Sequence, residues 1–198
     1  MFELSRSIKW FREDPAWEFK EGLAANQTPL ERGGYPYSLR DGGGGHDLRV
    51  VSGTVAGHRA HLAHALVFAG AGARAFSVAV LELPFSYPDT VVTPHRLAAK
   101  WAVRRRPPFR WGGELFDQRP DIDGYPGMRR AGAVPEFVLA LTSPEVLRLT
   151  LEADCGWRLA GRQLVGWTDR ERPLDEVLTM AGHLTGIVAA FPADAQRW

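Results

Sequence analysis

The chain has 198 residues, 45% of them apolar and 24% charged. Such values exclude disorder along the whole chain and collagen-like or fibrous repeats, and the length suits one large domain or a domain with an N-terminal arm. A single cysteine excludes a disulfide scaffold, and 24 basic against 23 acidic residues, a formal net charge of +1, leave no global pull toward nucleic acid or an anionic membrane.

Met1 to Lys20 alternates charged and aromatic residues where a signal peptide needs an unbroken apolar stretch. The longest uncharged apolar run, Ala65–Ala73, is about half of what a membrane-spanning helix requires. The expectation is therefore a cytoplasmic chain with no integral membrane insertion. Within the arm, Leu4, Ile8 and Phe11 fall at helical spacing and Asp14-Pro15 supplies a stop, which predicts a helix over 3–12. Trp10, Phe11, Trp17 and Phe19 are too many aromatics for a free tail, so the arm is expected to pack on the body or on a partner. Four glycines at 42–45 read as a flexible joint, dividing residues 1–45 from a single domain over 46–198.

From Asp47 the apolar residues alternate, and the turns Ala56-Gly57 and Ala69–Ala73 divide the stretch to Leu83 into three up-and-down strands. Pro84 and Pro88 predict a break there, Val91-Val92 a short strand, 94–103 a helix, and 107–133 an irregular excursion with a strand near Tyr125–Ala131. Helix signals return at Pro135–Leu141. They return again after Ser143-Pro144, where the serine can cap and the proline suits the first helical position. Gly161 between 156–160 and 162–168 reads as a second hairpin. After Pro173, Leu174, Val177, Leu178, Ala181, Leu184, Ile187 and Val188 mark the clearest helix in the chain. The predicted fold is α+β: an antiparallel meander sheet plus a second hairpin, with helices packed on one face.

The order of these segments, "VVSGTVAGHRAHLAHALVFAG", "FSVAVLELP", "LTSPEVLRLTL", "GWRLAGRQLVGW" and a final "FPADAQRW", resembles a family of uncharacterised proteins common in actinobacteria. Members of that family often carry the unit behind N-terminal membrane segments. The resemblance covers about residues 4–198 and rests on turn glycines, strand apolars and a helix start. It therefore implies the fold and transfers no catalytic residue.

His58, His61 and His64 recur every three residues and are metal-ligand types, but strand alternation puts His61 and His64 on opposite faces, so no metal site is expected. Lys100, Arg104, Arg105, Arg106 and Arg110, with Trp101, Phe109 and Trp111, form the one basic–aromatic cluster, a combination that suits phosphates and stacked bases. Cys155 follows Asp154, whose carboxylate would raise the thiol pKa, and reads as a small buried residue. No nucleophile elbow, phosphate loop or calcium-loop pattern occurs. These residues favour a non-enzymatic binding or scaffold module with no cofactor, working through protein–protein contact or self-association. Its candidate surface is Trp10, Phe11 and Trp17. Two alternatives stand beside it: a small-ligand binder or enzyme with a pocket no motif reveals, and an anion or nucleic-acid binder using Arg104, Arg105, Arg106, Arg110 and Trp111.

Overall fold

The computed structural model describes residues 2–31, 36–37, 45–69, 72–94, 110–111, 114–115, 121–122, 125–126 and 128–197. Gly42–Gly44, Arg104, Arg105, Arg106 and the part of the expected 94–103 helix beyond Pro94 lie outside the described residues. The fold is α+β, built on one antiparallel sheet. Its strands are β1 (Glu18–Glu21), β2 (His46–Val55), β3 (His58–Ala69), β4 (Gly72–Pro94), β9 (Met128–Gly132) and β10 (Gly156–Trp167). They lie in the order β1-β2-β3-β4-β10, and β9 pairs the far end of β4. The short strands β5 (Arg110–Trp111) and β6 (Glu114–Leu115) pair with each other, as do β7 (Asp121–Ile122) and β8 (Tyr125–Pro126).

The three-strand meander follows the alternation in the sequence. The two-residue turn Ala56–Gly57 sets Val55 opposite His58 and, counting back, Ser52 opposite His61. Ala56 and Gly57 both have positive φ, the conformation that a tight hairpin demands.

Two expectations are corrected. β4 does not end at Pro84: it runs on through Pro88 to Pro94. Its register with β3 stops at Leu81, so the prolines fall where β4 has no β3 ladder to serve, and a missing N–H does no harm there. The expected second hairpin is a single strand. Both halves of β10 pair with β4, and the chain bends at Gly161 (φ 58°) instead of reversing. The register slips on either side of that glycine, with Gly161 opposite Tyr87 and Gln163 opposite Glu82. The bend brings the ends of the strand together, and the Trp167 indole lies over Gly156.

The helices are α1 (Phe2–Glu13), α2 (Leu23–Asn26), α3 (Pro135–Leu141), α4 (Pro144–Ala153) and α5 (Leu174–Ala189), followed by a 3₁₀ turn at Ala193–Arg197. Helices α1, α3, α4 and α5 share one face of the sheet, where Phe11, Phe137, Leu141, Val146, Leu174, Val177, Leu184 and Ile187 meet Val51, Leu62, Leu81 and Leu159 in a single core. The i, i+3, i+7 spacing of the α5 residues makes that stripe. Ser143 Oγ accepts from Val146 N at 3.3 Å and caps α4 as its sequence implies.

The opposite face is also covered. Ala25, Leu30 and Tyr37 close over Val50, Ala63, Ala65, Phe76, Val78 and Trp167. Asn26 fastens this segment to β2 by donating to Asp47 O and accepting from Asp47 N, both at 3.0 Å. Within the described residues no helix is long and apolar enough to cross a membrane.

Candidate functional site

The arm is welded into the body by its own aromatics. Phe11 is fully buried and meets Trp10 edge-on at 4.5 Å and Trp17 at 5.1 Å between ring centroids. Trp17, half-buried, lies across Gly53 of β2, which has no Cβ to obstruct it. Edge-to-face pairs of this kind stabilise by about 0.5–1.5 kcal/mol beyond the area they bury. Arg12 stacks over Phe19 at 4.5 Å and pairs with Glu21 at 2.6 Å. Helix α1 also completes α5: Pro173 offers no capping side chain, and Ser7 Oγ accepts from Leu174 N at 3.1 Å in its place.

This placement divides the three aromatic candidates. Phe11 belongs to the core, Trp17 is half-covered, and Trp10 keeps 49% of its surface in water. Sequence reading gathers aromatics at the arm but gives no direction for each. Of the basic–aromatic cluster, Arg110 and Trp111 form strand β5, while Arg104, Arg105 and Arg106 lie outside the described residues.

The histidines separate as strand alternation requires. His61 is buried on the α2 side of the sheet. Its Nε2 lies 3.1 Å from Glu82 Oε1 and its Nδ1 2.8 Å from Ser52 Oγ. A carboxylate only accepts, so Nε2 carries the proton and Ser52 donates to Nδ1. His64 is buried on the helix side, with Nε2 2.8 Å from the Arg172 carbonyl. His58 reaches the Glu82 carbonyl at 3.3 Å. Burial lowers both His61 and His64 below the usual imidazole range, against the pull of Glu82 on the first and of the Arg172 carbonyl and Glu171 on the second. Among the described residues no three metal-ligating side chains converge.

Sequence reasoning missed the Ser52–His61–Glu82 chain, whose residue types are those of a hydrolytic triad. The register fixed by Ala56–Gly57 could have found its Ser52–His61 half, whereas Glu82 depends on the separate register of β3 with β4. Its setting opposes nucleophilic catalysis, because His61 is fully buried and Ser52 only 6% exposed, in register with Val80 and Val165 on the neighbouring strands. The chain ties β2, β3 and β4 together crosswise. Cys155 is buried, and burial pushes its thiol up to about 12; desolvation, not the Asp154 charge anticipated from the sequence, is the cause.

No family model and no curated protein matches the chain. Its fold is similar to that in the crystal structure of the mycobacterial trehalose monomycolate transport factor A, TtfA, with a TM-score of 0.54 at 11% sequence identity, covering 97% of this chain and 98% of that one. At that identity the likeness is one of fold, shared along nearly the whole length of both chains.

Proposed function

We propose that the chain is a non-enzymatic binding module that works through protein–protein contact, in an accessory role to a transport process. Trp10 carries the reading. It is a large aromatic held at 49% exposure on a helix that is itself locked to the core by Phe11, Trp17 and Ser7. A rigidly mounted, half-exposed tryptophan presents much contact area with little conformational entropy left to lose, which is the property of an interface anchor. The accessory role is supported by the fold shared with a protein described as a transport factor. The buried setting of Ser52, His61 and Cys155 favours binding over catalysis.

The test is native mass spectrometry of the untagged protein purified gently from its host, compared with Trp10→Ala. A defined added mass on the wild-type chain that is lost in a variant with unchanged melting supports the reading. An added mass of a small molecule that survives the substitution supports a ligand binder instead.

A further inference from the structure

His64 sits in a contact that packing alone does not require. The carbonyl of Arg172 can only accept, so the 2.8 Å contact assigns the proton to Nε2 and leaves a lone pair on Nδ1. That nitrogen lies 3.5 Å from Arg49 Nη1, a donor, and 3.4 Å from Glu171 Oε1, an acceptor. Arg49 and Glu171 are themselves 3.4 Å apart. A bare Nδ1 can serve only the guanidinium, and a protonated Nδ1 only the carboxylate.

Among the described residues, the charged groups around it come from β2 and the loop before α5. From β2 comes Arg49, whose Nε also holds Glu21 of β1 at 3.0 Å. From the 168–173 loop come Glu171 and Arg172, and Arg172 reaches Asp154 at 3.9 Å and Glu176 at 3.2 Å. From β4 comes Ser77, uncharged, which accepts from Arg172 N at 2.8 Å and donates to Arg172 O at 3.3 Å.

We propose that Arg49, His64 and Glu171 form a proton-operated clasp on the loop that leads into α5. Neutral His64 leaves the Arg49–Glu171 pair closed. One proton taken from solvent onto Nδ1 moves Glu171 to the imidazolium and leaves Arg49 with Glu21 alone. The imidazolium then faces the Arg49 guanidinium across a carboxylate that can no longer serve both, and the loop and the first turn of α5 loosen. Burial sets the exchange below the usual imidazole range.

The test is the pair of imidazole nitrogen resonances of His64 in the full chain, assigned by their loss in His64→Gln and followed through an acid titration. Glu171 and Arg49 side chains are each 28% exposed, so Glu171→Gln and Arg49→Met are expected to fold. The clasp predicts an Nε2-protonated tautomer at neutral pH and a midpoint lowered by about one pH unit in Glu171→Gln and raised in Arg49→Met. It also predicts faster amide exchange at Leu174–Val177 below the wild-type midpoint. An Nδ1-protonated tautomer at neutral pH, a midpoint indifferent to both substitutions, or loop and α5 amides that ignore the titration would overturn it.

Discussion

The indole of Trp167 occupies the space that a side chain at Gly156 would need, although the two residues stand at opposite ends of one strand. A Cβ at 156 would lie 2.4 Å from Trp167 Cζ2 and 2.5 Å from Cε2. Trp167 is fully buried and its ring is rigid, so neither partner can yield. Gly156→Ala is expected to destabilise by about 1–3 kcal/mol in urea unfolding, the usual cost of overpacking. Gly182→Ala on α5 is the counterpart. Nothing lies within 4 Å of its Cβ position, and replacing a helical glycine should stabilise by roughly 0.5–1 kcal/mol. Equal effects of the two substitutions would refute the bend in β10.

The arm belongs to the fold. Phe11→Ala should cost about 3–5 kcal/mol, and Ser7→Ala about 1 kcal/mol through the lost cap on α5. Trp10→Ala should change stability by no more than about 0.5 kcal/mol, as exposed positions do. Chemical denaturation of the three variants checks this order. A Phe11→Ala protein as stable as the wild type would mean that α1 does not dock as described.

Acid should weaken the fold through His61 and His64. Burial lowers both folded-state pKa values below the usual 6.5, so the unfolded chain takes up protons first. Their stabilising contribution is complete above 6.5, declines as pH falls through 6.5 toward the folded values, and is exhausted below them. The slope within that window approaches about 1.4 kcal/mol per pH unit for each histidine. Urea midpoints compared at about pH 8 and about pH 5 should fall, and His61→Gln should flatten the fall. A variant with an undiminished slope would remove His61 from the account.

Cys155 should be inert in the native protein. With its thiol pushed up to about 12 and its side chain buried, a disulfide reagent should label it only after denaturation. Stoichiometric labelling of the folded chain at neutral pH would contradict the placement of Cys155 in the core.

Short-range signals made the meander, the Ser143–Pro144 start of α4 and the long α5 legible in the sequence. A turn, a cap and a periodic apolar stripe are each local. The course of β4 through Pro84 and Pro88 was not legible, because proline breaks a strand only where a neighbour needs its N–H, and that depends on where β3 ends. Gly161 carried the right signal, a positive φ, but a bend and a hairpin make the same local demand. The difference lies in β4, which follows β10 on both sides of the bend. At the candidate surface, aromatic density marked the arm, whereas the direction of each ring depends on contacts with Gly53 and α5 far along the chain. The tether of α1 to the N-terminus of α5 through Ser7 was likewise beyond reach, since the two residues are separated by most of the sequence.

Site-specific photo-crosslinking in the host cell asks whether Trp10 meets a partner, as proposed. A photoreactive phenylalanine analogue would replace Trp10 in one strain and the exposed His183 on α5 in another. A protein adduct of one discrete mass is expected at position 10 and none of that mass at 183. The same diffuse background at both positions, or an adduct confined to 183, would contradict it.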